Sequence, residues 1–144
     1  MAVLVVDDNP VNRHVATRML EAPGCVATAV ESGDEALART SRHHFDCILM
    51  DCHMPGTDGW ETTRHLRKHG VPTPVVALTA SALQDDRESA AQAGMDLFLS
   101  KPIVLASLEH TLAQCRQLAL TAEGDPNLRG IDQDIENTER LGTT

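Results

Sequence analysis

Val3-Leu4-Val5-Val6-Asp7-Asp8-Asn9-Pro10 opens the chain and sets the pattern for the rest of it. Four apolar residues in a row, without polar alternation, suit a short strand buried on both faces. Asp7 and Asp8 stand where that strand ends. Asn9 is an N-cap type and Pro10 suits a first helical position, so a helix follows at once. The same arrangement returns three times: Cys47–Met50 runs into Asp51, Val75–Leu78 into Thr79, and Leu97–Leu99 almost into Lys101-Pro102. In open α/β sheets the ligand site lies outside the carboxyl ends of the strands. Three acids, a hydroxyl and a lysine at those ends suit magnesium and a phosphoryl group.

Between these strands the sequence reads as helices. Val11, Val15, Met19 and Leu20 recur at helical spacing until Pro23-Gly24. A second strand is expected over Cys25–Val30, followed by a helix opened by Ser32 or Gly33 that carries Ala36, Leu37 and Ala38 to near His44. Met54–Gly59 is a loop by its proline and glycines, and Asp58 caps a helix through Trp60, Thr63 and Leu66 to about His69. Gly70–Pro74 breaks that helix, and Pro74–Leu78 is the fourth strand. A helix from about Leu83 to Ala93 stops at Gly94, and Asp96–Leu99 is the fifth strand. The last helix runs from Val104 to about Gln117, with Leu105, Leu108, Leu112 and Cys115 on one face.

Strand–helix alternation repeated five times predicts an α/β fold: a five-stranded parallel, doubly wound, flavodoxin-like sheet in the order 2-1-3-4-5. The first and third strands then flank the switch point, where Asp7, Asp8 and Asp51 meet. Residues 1–117 form this domain. Residues 118–144 read as an acidic linker or tail, with Glu123, Asp125, Asp132, Asp134, Glu136 and Glu139 against Arg129 and Arg140; Ile131, Ile135 and Leu141 leave room for a short helix.

Composition narrows the function. The 144 residues carry a net charge of −9, which disfavours nucleic acid as a direct partner and favours cations. With two Phe, one Trp and no Tyr, the core must be aliphatic. Cys25, Cys47, Cys52 and Cys115 are scattered without a Cys-x-x-Cys pair, a spacing suited neither to zinc nor to a disulfide framework. Reduced, buried thiols of a cytoplasmic protein are expected. No apolar stretch approaches the roughly 20 residues that span a bilayer, and no export signal is evident. Strand formation already at Val3 suggests a domain cut from a longer protein.

The chemistry follows from the residue types. Magnesium takes oxygen ligands and uses one or two protein carboxylates beside phosphate oxygens, which Asp7, Asp8 and Asp51 can supply. Asp51, alone at its strand end, is the candidate nucleophile, because a carboxylate can attack a phosphoryl group. Lys101 would add positive charge and Thr79 a hydrogen bond to the phosphoryl oxygens. Cys52 is expected to point into the sheet, and Trp60 to rest on the surface at the start of its helix. His43-His44 is expected to end a helix, where a cation is mildly favoured.

Together, Val5-Val6-Asp7-Asp8-Asn9, Asp51-Cys52-His53-Met54-Pro55-Gly56-Thr57-Asp58-Gly59, Ala77-Leu78-Thr79-Ala80 and Ser100-Lys101-Pro102 resemble a receiver domain of two-component signalling over almost all of Val3–Gln117. The resemblance implies that Asp51 accepts a phosphoryl group from a phosphohistidine. It implies that Asp7, Asp8, Asp51 and the backbone carbonyl of His53 hold Mg2+ (or Mn2+), and that Thr79 and Lys101 bind the phosphoryl group. It further implies a cis Lys101-Pro102 bond, a switch made of Thr79 and Phe98, and tuning of the phosphate lifetime by His53 and Ser81. Phe98 lacks the hydroxyl of the more frequent tyrosine, which excludes a hydroxyl-mediated version of the switch.

Asn9-Pro10-Val11-Asn12-Arg13, Val76-Ala77-Leu78-Thr79-Ala80 and Gly94-Met95-Asp96 before Phe98-Leu99-Ser100-Lys101-Pro102 resemble receivers attached to hybrid sensor histidine kinases. The implied partners are a histidine kinase core, a histidine phosphotransfer protein, or both, with a weak or phosphorylation-dependent dimer allowed. The parent could be membrane-anchored with this domain on the cytoplasmic side. The chain alone would assist its own phosphorylation and dephosphorylation, and the surface of the fourth helix, fifth strand and fifth helix would respond.

Other readings fit less well. A stand-alone response regulator shares every motif. A flavodoxin-like cofactor binder would need a hydroxyl- or glycine-rich phosphate loop where Asp7-Asp8-Asn9-Pro10 stands. An aspartyl phosphatase keeps its paired aspartates within one short motif. A scaffold without phosphorylation is disfavoured because every expected residue is present.

Overall fold

The computed structural model describes residues 1–54, 58–79 and 84–124. Its elements are β1 (Ala2–Val6), α1 (Pro10–Glu21), β2 (Val26–Val30), α2 (Gly33–Thr40), β3 (Cys47–Asp51), α3 (Gly59–Lys68), β4 (Val75–Thr79), α4 (Gln84–Ala93), β5 (Leu97–Ser100) and α5 (Leu105–Gly124). All four strand pairs are parallel, in the order β2-β1-β3-β4-β5, as the alternation predicts.

Strand residues alternate between two apolar layers. Leu4, Val6, Ile48, Met50, Val75 and Ala77 face the layer that also holds Ala36 of α2, Leu66 of α3 and Ala90 of α4. Val3, Val5, Cys47, Leu49, Val76 and Leu78 face Ala16 and Leu20 of α1 and Leu108, Leu112 and Cys115 of α5. Burial on both faces explains why the central strands are continuous apolar runs. Cys52 belongs to the first layer and is fully buried, as expected.

Helix starts follow the sequence closely. The Asn9 side chain accepts from Val11 N and Asn12 N at 2.8 and 3.3 Å, Ser32 from Glu35 N at 3.2 Å, and Asp58 from Glu61 N at 2.8 Å. Ends differ more, each for a local reason. β2 starts at Val26 rather than Cys25, because Cys25 N donates to Leu20 O and so closes α1 around Gly24, at φ +77°. α2 ends at Thr40 rather than near His44, so His43 and His44 lie beyond it; the chain must leave the helix early for Phe45 to enter the core and for Asp46 to bind Ala2 N at 2.7 Å. α5 continues past Gln117 to Gly124, so the first part of the expected tail is helical; residues 125–144 lie outside the described residues.

Arg67 ties three segments together. Its guanidinium donates to Val71 O and Thr73 O at 2.8 Å each, to Gly94 O at 2.9 Å, and to Asp96 Oδ2 at 2.7 Å. Asp96 Oδ2 also accepts from Val75 N at 3.0 Å. The end of α3 and the starts of β4 and β5 are thereby held in one register.

At the other end of α3, Gly59 N donates to Cys52 O at 3.3 Å, and the helix start lies directly on the end of β3. A Cβ at Gly59 would collide with the carbonyl oxygen of Asp51, a backbone group that cannot swing aside. Gly59→Ala is expected to cost about 2 kcal/mol or more, as overpacking against a fixed group does. A lowered midpoint in urea denaturation, with the slope unchanged, is the measurement.

Candidate functional site

The parallel register delivers the functional residues to one edge. Val6 pairs with Met50, Asp51 with Leu78, and Thr79 with Ser100, so the residues at and just past these positions share the carboxyl end of the sheet. One ligand oxygen each from Asp7, Asp8 and Asp51 lies within 4.8 Å of the others. Asp7 and Asp51 are buried, at 2% and 4% exposed, whereas Asp8 is open to solvent.

Lys101 reaches over from the end of β5. Its Nζ stands 3.2 Å from Asp51 Oδ1 and 3.4 Å from Asp7 Oδ2. Its backbone N–H donates to Thr79 O at 2.8 Å, and the Lys101-Pro102 bond is cis, as expected. Asp51 Oδ1 also accepts from His53 N at 3.2 Å, and Asp7 Oδ1 from Asn9 N at 2.9 Å. Three carboxylates against one ammonium leave an excess of two negative charges, a deficit that a divalent cation would neutralise.

The electrostatics express that deficit. Burial raises the Asp51 carboxyl above its ordinary value; the His53 N–H opposes this, Asp7's charge adds to it and Lys101 offsets part of it. For Lys101, burial pulls the amine down, but the carboxylates of Asp51 and Asp7 together outweigh it, and the net shift is upward. The ammonium is therefore held firmly while Asp51 ionises at a cost.

Thr79 is fully buried at the end of β4, next to β3. Phe98 pairs with Ala77 and is half-buried against the layer of α2, α3 and α4. Ser81 lies outside the described residues, as do Pro55–Thr57 and Ala80 of the quoted motifs. His53 is exposed, and its ring meets Trp60 edge-to-face at 5.2 Å and 80°. Trp60 is half-buried rather than resting on the surface, because it packs against the apolar layer of α2, α3 and α4.

Two contacts were not foreseen. Arg13 Nη1 donates to Asp7 O at 2.8 Å, so α1 braces the backbone under the acid pair. Asn12 and Val15 of α1 line a cavity of about 210 Å³ together with Asp7, Lys101 and Ile103. Arg13 and Asn12 carry a signal only once Pro10 is taken as the first helical residue, which places both on the turn facing the acids.

A doubly wound sheet with a buried acid, a flanking acid pair and a lysine at its switch point defines a phosphoacceptor-type α/β module. The family model described as "Response regulator receiver domain" matches residues 3–113, and the chain belongs to that family. Sensor histidine kinase GacS of Pseudomonas protegens is 39% identical over 127 residues, which cover 85% of this chain but 14% of GacS. The receiver domain of sensor histidine kinase PA1611 from Pseudomonas aeruginosa, solved with magnesium in its active-site cleft, superposes with a TM-score of 0.74 at 42% identity, covering 81% of this chain and 97% of that one. A chain of the Saccharomyces cerevisiae complex between the histidine phosphotransfer protein Ypd1 and the receiver domain of Ssk1 gives a TM-score of 0.77 at 25% identity, covering 83% and 90%. No helix among the described residues is long and apolar enough to cross a membrane.

The raised Asp51 carboxyl has a sign that can be checked. A folded-state value above the unfolded one, about 3.9, favours folding while the group is protonated. That contribution is present below the unfolded value and is lost as pH rises through the folded value. Near neutrality, Asp51→Asn is therefore expected to raise the metal-free melting temperature by about 4 °C for each 1 kcal/mol relieved. Magnesium should raise the melting temperature of the parent domain and leave that of Asp51→Asn nearly unchanged. Thermal melts with and without magnesium, from the unfolded value of about pH 3.9 up to about pH 8, make the comparison.

Proposed function

We propose that Asp51 accepts a phosphoryl group from a phosphohistidine, and that the chain serves as the receiver of a hybrid sensor histidine kinase. The observation that carries this reading is the placement of Lys101 Nζ 3.2 Å from a buried Asp51 whose neighbours are two further acids. Asp7, Asp8, Asp51 and the His53 backbone carbonyl would hold Mg2+, with Mn2+ able to use the same oxygens. The cation supplies charge neutralisation for the carboxylates and the incoming phosphoryl oxygens.

The protein's own groups do the rest. The Asp51 carboxylate forms an O–P bond as the N–P bond to the donor histidine breaks, and the bonding pair returns to the imidazole nitrogen. Lys101 and the Thr79 hydroxyl bind phosphoryl oxygens, and Asn9 N and Arg13 keep Asp7 and its backbone fixed. Hydrolysis of the acyl phosphate restores the carboxylate, with His53 and Ser81 at positions that tune its rate. Thr79, drawn toward the phosphoryl group, would leave space for Phe98 to turn inward, biasing the surface of α4, β5 and α5.

The donor needs a docking surface, and α1 offers one. Val11 and Val15 are 66% and 45% exposed, and Val104 and Leu105 at the start of α5 are 57% and 37% exposed. Val15 shares its cavity with Asp7 and Lys101, so this apolar border lies beside the acceptor. Exposed apolar side chains grouped at a site suit a protein partner. A histidine phosphotransfer protein or a kinase core fits that need.

Incubation with acetyl phosphate and magnesium is expected to add one labile phosphoryl group by intact mass. The adduct should be absent from Asp51→Ala and after chelation. An adduct that persists in Asp51→Ala overturns the assignment.

The docking surface separates from the chemistry. Val11→Ser should slow transfer from a phosphorylated histidine phosphotransfer protein about tenfold, the value of one buried valine contact, yet leave labelling by acetyl phosphate unchanged. Radiolabelled transfer gels, run beside the small-molecule reaction, report both rates.

A further inference from the structure

At the opposite end of β3 from the acceptor stand two thiols that the phosphoryl chemistry does not use. Cys47 is the first residue of β3 and Cys115 lies on α5, and their sulfurs are 3.2 Å apart with both side chains fully buried. They sit in the layer that α1 and α5 make with the sheet, beside Leu49 and Leu112. Cys25, partly buried, borders the same layer, whereas Cys52 lies in the opposite one.

The contact with Cys115 and burial both push the Cys47 thiol well up, so the thiolate that reacts with oxidants is scarce while α5 is docked. α5 is the last described element and covers this layer with Leu108, Leu112 and Cys115. Local openings occur in folded domains, and one that parted α5 from β3 would uncover both sulfurs together.

We propose that Cys47 and Cys115 form an oxidation site, a disulfide-forming pair that pins α5 to β3. The oxidant is a low-molecular-weight disulfide. One cysteine thiolate attacks a sulfur of that disulfide and expels its other half as a thiolate, giving a mixed disulfide. The second cysteine thiolate then attacks the protein sulfur and expels the remaining half. Two protein S–H groups become one S–S bond, and the small disulfide leaves as two thiols, carrying the two electrons and two protons. The sulfurs, already in contact, must close from 3.2 Å to about 2.05 Å. The second step is intramolecular, so the mixed disulfide should not accumulate. Because α5 belongs to the surface proposed above to respond to phosphorylation, the bond would restrain that response; this consequence alone rests on the receiver reading, and the bond itself does not.

The test uses the full chain carrying Cys25→Ala and Cys52→Ala, so that only the proposed pair remains, beside the unsubstituted protein. Both are incubated with oxidised glutathione in native buffer, then denatured, alkylated and weighed, and their peptides mapped. Loss of two hydrogens, no alkylation of Cys47 or Cys115, and one linked peptide pair are expected, with a raised melting temperature that reductant reverses. Stable glutathione adducts, or two thiols that remain alkylatable, overturn the proposal. If the double variant is unfolded by circular dichroism, mapping of the unsubstituted protein decides: a Cys47–Cys115 link supports the pair, and a Cys25–Cys47 link or none overturns it.

Discussion

One ammonium holds the carboxyl edge of this sheet together. Asp7 and Asp51 are almost wholly removed from water and lie close to each other and to Asp8. Burial makes the Asp51 carboxyl resist ionisation and moves its value upward. Lys101 makes the arrangement tolerable by placing its charge 3.2 and 3.4 Å from the two buried acids. It can do so only because β5 is parallel to β4 and its last residues lie level with Thr79. The sheet order, the register and the Lys101 ammonium are thus parts of one solution, and removing any of them leaves buried negative charge less compensated.

Much of this was legible before any coordinates, and the reason is physical. Strands buried on both faces cannot alternate, so Val3–Val6, Cys47–Met50 and Val75–Leu78 stand out as apolar blocks, and whatever ends them falls on the ligand edge. Helix starts were legible because Asn9, Ser32 and Asp58 cap through side chains whose identity is local. The ends of α1, α3 and α4 were legible too, in Pro23-Gly24, His69-Gly70 and Gly94, whereas the ends of α2 and α5 were not. The burial of Phe45 shortens α2, and nothing within Gly33–Thr40 announces it. Trp60 differs for a similar reason: its half-burial comes from packing on the layer of α2, α3 and α4, beside His53 from the preceding strand end. Arg67 is the extreme case, since its partners Val71 and Thr73 lie before β4 and Gly94 and Asp96 before β5, two segments that only the fold brings to it.

The two apolar layers divide the labour of the molecule. On one side, α2, α3 and α4 cover Leu4, Ile48, Met50 and Val75, and Arg67 locks the end of α3 to the starts of β4 and β5. On the other, α1 and α5 cover Val3, Leu49 and Val76, and α1 also supplies Arg13 and Asn9 to the acid pair. Val11, Val15, Val104 and Leu105, four of the five exposed large apolar residues among those described, belong to this second side. A partner that settles there approaches Asp51 past α1, away from the Arg67 clamp.

The position of Asp51 within the sheet also constrains how a charge change there could be passed on. β3 is buried at every residue and is paired on both sides, by β1 and by β4. A strand so confined cannot shift to accommodate added phosphoryl oxygens, because packed interiors deform little. The adjustment must fall on groups with room to move. β2 is one edge, but it supplies no carboxylate to the acid cluster. β5 is the other, and it carries the half-buried Phe98, the exposed Ser100 and, just beyond them, the lysine that already touches Asp51. The same residue that makes the buried acids tolerable therefore links the acceptor to the more yielding edge of the sheet, which favours output through β5 and the helices beside it.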